Sequence, residues 1–128
     1  MPGRVVVDTN IVIAFFAGEA GVRQRFRHID IAVPSIVVGE LHYGARKSAH
    51  SAANLAKIDE FTAWVEIVNC DAQTARHYGE IKDRLRLRGR PIPDNDIWIA
   101  AVARQLRLPL ASRDEHFKEV LGLTLSAW

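Results

Sequence analysis

The run Arg4-Val5-Val6-Val7 is β-branched over three residues, with no polar residue alternating through it. A strand of that kind has no face to give to water. It belongs in the middle of a sheet covered on both sides, as in parallel sheets whose strands are joined by helices. The run stops at Asp8-Thr9-Asn10, a cluster suited to a turn and a helix cap, and Ile11 to Phe16 then opens an apolar helix closed by Gly18. The first strand therefore predicts an α/β fold.

The rest of the chain repeats that alternation. Gly21 to His28 reads as a short helix and Ile31-Ala32-Val33 as a second strand ended by Pro34. Ser35 is a good N-cap for a helix from Ile36 to about Lys47. A polar break at Ser48 to Ser51 precedes a helix over Ala52 to Trp64, and Val65 to Val68 is a third strand. Asp71 then caps a long helix to about Arg88, with Tyr78, Ile81 and Leu85 on one stripe. Gly89 to Pro93 is a loop. The helix beginning at Asp96 is apolar nearly all round, which predicts a core position. Leu108 to Ala111 is a fourth strand, a brief helix covers Glu115 to Val120, and Leu123-Thr124-Leu125 reads as an edge strand. Nothing in the 128 residues resembles a linker or a repeat, so residues 1–128 are expected to be a single domain with a mainly parallel, about five-stranded sheet.

Several function classes are disfavoured. No run approaches the ~18 apolar residues of a membrane span. Met1-Pro2-Gly3-Arg4-Val5 lacks the pattern of a signal peptide, and the single Cys70 has no intrachain partner; both fit a cytoplasmic protein without a membrane partner. There is no GxGxxG and no phosphate-binding loop. His28, His42, His50, His77 and His116 are scattered, and each reads as surface or structural. Net charge is only +2, yet Lys82, Arg84, Arg86, Arg88 and Arg90 crowd one segment with Asp83 alone opposing them nearby. Such a cluster is ordinarily a solvated helix face, and otherwise a footprint for phosphate.

The acids carry the functional argument. In open α/β sheets, sites lie beyond the carboxyl ends of the strands. Asp8 follows the first strand, Asp114 follows the fourth, Asp96 opens the core helix, and Glu40 lies on the helix after the second strand. Each has a structural alternative. Asp8, Asp94 or Asp96 serves as an N-cap, and Ser112 with Glu115 matches a capping box that leaves Asp114 as a first-turn acid. Glu40 has Ile36, Val37, Tyr43 and Gly44 one turn away, none a cation with which to pair. Four acids at one sheet end would repel, and oxygen ligands of this kind favour hard cations such as Mg²⁺ or Mn²⁺.

Val5-Val6-Val7-Asp8-Thr9-Asn10, Glu40 in Val37-Val38-Gly39-Glu40-Leu41, Asn95-Asp96-Ile97-Trp98-Ile99-Ala100-Ala101 and Ser112-Arg113-Asp114 together resemble the PIN-domain ribonucleases, in particular the VapC-like toxins of type II toxin–antitoxin pairs. The likeness spans essentially the whole chain. It implies a PIN-like three-layer α/β/α fold and an endoribonuclease that uses Mg²⁺ or Mn²⁺. Asp8, Glu40, Asp96 and Asp114 match the metal-binding acidic quartet, with Thr9, Asn10, Asn95 and Ser112 at supporting polar positions. Asp94 is an extra carboxylate beside them. The resemblance further implies an RNA substrate; by charge, the Lys82–Arg90 run is expected to hold its backbone, with Arg46 and Lys47 as further candidates. It also implies a cognate antitoxin and a homodimer within a larger complex, for which Trp64 and Trp98 are interface candidates. The rivals are a PIN-type RNA-processing nuclease outside such pairs and a catalytically silent interaction module. A receiver-like domain also places an Asp after its first strand, but the Lys and Ser/Thr constellation it needs is missing.

Overall fold

The structure, a computed structural model, describes residues 3–128; Met1 and Pro2, which the sequence places ahead of the first strand, lie outside the described residues. Strand β1 (Arg4–Val7) buries all three valines, at 3% exposure or less. Its position explains why. The sheet has five strands in the order β3-β2-β1-β4-β5, every pairing is parallel, and β1 is the central strand.

From β1 the chain runs through α1 (Thr9–Phe16) and α2 (Ala20–His28) to β2 (Asp30–Pro34), then through α3 (Ser35–Lys47) and α4 (Ser51–Trp64) to β3 (Glu66–Val68). It returns through α5 (Ala72–Leu87) and α6 (Asp94–Leu106) to β4 (Leu110–Ala111) on the other side of β1. A short 3-10 helix (Glu115–Glu119) leads to β5 (Leu125–Ser126). The direction of winding thus reverses between β1 and β4. The carboxyl ends of strands at such a reversal are where α/β sheets place ligands.

Local chemistry accounts for most boundaries. Asp71 caps α5 through a reciprocal pair with Thr74, and Thr74 Oγ1 also donates to Gln105 Oε1 at 2.5 Å, tying α5 to α6. Helix α6 is a core element, as its apolar circumference predicts: Ile97, Ile99, Ala100, Ala101, Val102 and Ala103 are buried. Three expectations shift by a residue or two. Pro34, not Ser35, occupies the cap position of α3 and is paired within β2. Helix α6 begins at Asp94 rather than Asp96, because Pro93 supplies the extended residue before it (φ −58°, ψ 146°) and suits a helix start. Asp96 is therefore the third helical residue, not the cap. Strand β4 is cut to Leu110–Ala111, since Pro109 has no N–H to donate to a ladder.

The aromatic side chains Phe15, Phe26 and Phe61 cluster with Trp64 and Trp128. Trp64 stays half exposed at 52%, and Trp98 stacks on Tyr78 with centroids 4.1 Å apart. Among the described residues no helix is long and apolar enough to cross a membrane.

Candidate active site

Asp8 sits where β1 ends, and its backbone N–H donates to Ala111 O at 3.0 Å, locking the ends of β1 and β4 together. The side chain is 5% exposed and caps α1 by accepting from Thr9 N at 2.8 Å. Its other oxygen accepts from Ser112 Oγ at 2.7 Å. Burial raises the carboxyl above its usual range, the two hydrogen bonds oppose that rise, and the charges of Glu40 and Asp114 add to it.

Ser112 joins the two strand ends. An ionised Asp8 only accepts, so the Ser112 hydroxyl hydrogen points at Asp8. The hydroxyl oxygen then accepts from Asp114 N at 3.0 Å and, at longer range, from Asn10 Nδ2 at 3.4 Å. Its donor and both lone pairs are used, which allows a residue only 1% exposed to stay polar. The expected capping box from Ser112 to Glu115 does not form; Asp114 occupies the cap position and the Ser112 hydroxyl is directed across the sheet. Asn10 completes the brace, its Oδ1 accepting from Arg113 N at 3.4 Å. Glu40 is fixed from α1, since Thr9 Oγ1 donates to Glu40 Oε1 at 2.7 Å.

Asp96 reaches the same place from the first turn of α6. Burial raises its carboxyl first, repulsion from Asp8 and Glu40 adds to the rise, and His116 works against it. His116 stands between two acids: Nε2 is 2.7 Å from Asp96 Oδ2, and Nδ1 is 2.9 Å from Asp114 Oδ1. The first contact is close but off the N–H direction, so the fully enclosed Nε2 makes no aligned hydrogen bond. Ligand atoms of Asp96, Asp114 and His116 all lie within 4.8 Å of one another. The sequence offered one signal for His116, its position two residues after Asp114, and its isolation among five scattered histidines hid it.

These groups fit a hard divalent cation. The donors are carboxylate oxygens with one imidazole nitrogen at the edge, a set that suits Mg²⁺ or Mn²⁺. Two of the acids are raised by burial and by their neighbours' charge, a penalty on their ionised forms that a divalent cation would offset.

Other expected site residues lie elsewhere. Asp94 turns away to α5, accepting from Lys82 Nζ at 2.9 Å and from the Tyr78 hydroxyl at 3.0 Å. That contact lowers the Asp94 carboxyl and raises the Lys82 amine. Asn95 lines a groove with Thr9 and Glu40. The basic run is more compensated than its sequence suggests. Arg86 pairs with Asp83, and Arg88 and Arg90 both approach Glu119, which folds back from 29 to 31 residues away. Exposed pairs of this kind are worth about 0–1 kcal/mol, so phosphate can exchange with them.

Known proteins share this arrangement of elements. A family model described as PIN domain matches residues 5–123. The chain is 36% identical over 129 residues to Ribonuclease VapC2 of Haemophilus influenzae, with 98% of each chain covered. It is 34% identical, over 98% of each, to the tRNA(fMet)-specific endonuclease VapC of Shigella flexneri. Among solved structures, VapBC2 from Rickettsia felis bound to a DNA fragment from their promoter superposes with a TM-score of 0.91 at 30% identity, covering 98% of both chains.

Proposed function

Because this chain belongs to the PIN-domain family, we propose that it is an endoribonuclease acting as the toxin of a toxin–antitoxin pair, dependent on Mg²⁺ or Mn²⁺ held by Asp8, Glu40, Asp96 and Asp114. The observation that carries the reading is the gathering of these acids at the reversal point between β1 and β4, where burial and mutual repulsion raise Asp8 and Asp96. The relatives named as ribonucleases and the VapBC complexes among its structural neighbours support the activity and an antitoxin partner.

When bound, a divalent cation supplies Lewis acidity toward water and toward the phosphate oxygens. The chain's own residues set the geometry. Ser112 and Thr9 N hold both oxygens of Asp8, Thr9 Oγ1 holds Glu40, and Asn10 ties Ser112 to α1. His116 braces Asp96 against Asp114 and works against the rise of the Asp96 carboxyl. The strip at Lys82, Arg84, Arg86, Arg88 and Arg90, ion-paired at Lys82, Arg86, Arg88 and Arg90, borders the start of α6 and supplies phosphate contacts that position RNA without reading its sequence. In this reading the protein works in the cytoplasm as a homodimer inside a larger complex with its antitoxin.

Inducing the protein in a heterologous host and mapping new RNA ends, beside an Asp8→Asn control, tests the activity. Wild type is expected to produce discrete new ends and the control none; ends common to both would sink the reading. Calorimetry with Mn²⁺ tests the cation, with saturable binding expected for wild type and its absence counting against metal dependence. The assignment between neighbouring acids is tested by Asp94→Asn, expected to cleave as wild type does because Asp94 serves Lys82 and Tyr78. A loss as deep as that of Asp96→Asn would move the metal site to Asp94.

A further inference from the structure

A groove of about 740 Å³ opens beside the acids, with Thr9 and Asn95 on one side and α3 on the other. The α3 wall is a single stripe at helical spacing, with Gly39, Glu40, Tyr43, Gly44 and Lys47 lining the groove. Glu40 is the residue held by Thr9, so the groove is continuous with the acid site. Lys47 lies seven residues beyond it, about 10 Å along the helix axis.

Three features of this stripe lack a structural role. Tyr43 is 66% exposed, and its ring contact is with Lys47 Nζ, 4.4 Å from the centroid. Lys47 has no acidic partner among the described residues, unlike Lys82 and Lys118. Gly39 and Gly44 sit inside a helix they weaken, and no packing requires them, because a Cβ at either would meet nothing within 4 Å. In the groove that open space is what a flat ligand would use.

We propose that this groove seats a nucleotide of single-stranded RNA next to the scissile phosphate, with the base stacked on Tyr43 over the bare backbone at Gly39 and Gly44, and a phosphate on Lys47. The proposal rests on the ribonuclease reading and adds the substrate subsite. An exposed aromatic beside a free cation, contiguous with a phosphodiester-cleaving site, is the pairing single-stranded nucleic acids use, since every base offers a π-face.

The test uses Asp96→Asn protein, so that RNA persists, and fluorescence anisotropy with a short fluorescein-labelled single-stranded RNA of mixed sequence. Tyr43→Leu in that background is expected to weaken binding by about tenfold or more, whereas Tyr43→Trp retains it. Gly44→Ala is expected to raise the Tm by about 2–5 °C yet weaken binding. Gly79→Ala is the control: it lies in α5, also faces open space and is absent from the groove, so it should raise the Tm equally with affinity unchanged. Unchanged affinity in Tyr43→Leu, equal affinities in the two glycine variants, or no RNA binding by the parent would each overturn the subsite. So would a Tyr43→Leu protein with Asp96 intact that cleaves RNA as wild type does but is no longer inhibited by an antitoxin peptide, which would assign the groove to protein. Wild-type cleavage of cellular RNA is scored separately, so failure of the nuclease reading and failure of the groove give different results.

Discussion

Asp96→Asn is expected to lower RNA cleavage by about 10²–10³-fold or more while raising the melting temperature measured in EDTA. The two effects share a cause. Asp96 is held among acids by burial and by the fold, and its ionised form suffers repulsion from Asp8 and Glu40. Asn keeps the shape and removes the charge, so the metal-free fold gains on the order of 1 kcal/mol, or about 3–6 °C for a chain of this size. The same charge is what a divalent cation needs, and calorimetry should find Mn²⁺ affinity weakened in step with activity.

The pH dependence follows with a definite sign. Asp8 and Asp96 bind protons more tightly folded than unfolded. Their contribution to stability is complete below the ordinary Asp range and is lost as pH rises through their raised folded values. In EDTA the Tm should therefore fall across that window. Asp96→Asn should flatten the fall, and saturating Mn²⁺ should remove it in wild type. A variant that is inactive but no more stable in EDTA would show that Asp96 is not strained by its neighbours.

How much of this was legible from residues alone depends on the range of the interactions involved. The valine run of β1 and the apolar helix α6 are local patterns, and both appear where the sequence places them. That Asp8 and Asp114 share one sheet end follows from strand endings plus topology. Boundaries slipped where a proline competes with a cap: Pro34 displaces Ser35, and Pro93 moves the start of α6 back to Asp94. That slip separates Asp94 from Asp96 on different helical faces, a distinction composition cannot make. Long-range pairings were hidden. Glu119 reaching Arg88 and Arg90, and His116 bridging Asp96 to Asp114, depend on how the chain after β4 folds back. Ser112 had a local explanation in its capping-box spacing with Glu115; its hydroxyl instead donates across to the buried Asp8 carboxylate, and its oxygen accepts from Asp114 N rather than from Glu115 N.

Ser112→Ala is the sharper test of how the site is held, because Ser112 is expected to touch neither RNA nor cation. Removing its hydroxyl leaves a buried Asp8 oxygen without a donor, and it leaves Asp114 N and Asn10 Nδ2 without their acceptor. Buried groups orphaned in this way cost about 1–3 kcal/mol, so the Tm should drop, opposite in sign to Asp96→Asn. Loss of a partner that orients a metal ligand typically costs about 10–100-fold, and cleavage should fall within that range. The Ser112 hydrogen bond is the largest influence lowering the Asp8 carboxyl, so without it that carboxyl rises further. The acidic limb of the rate–pH profile should then move to higher pH, and raising Mn²⁺ should recover part of the activity by competing with the proton. A Ser112→Ala protein that loses stability while keeping the wild-type pH profile would leave Ser112 as a structural tie between β1 and β4, with no hold on the ionisation of Asp8.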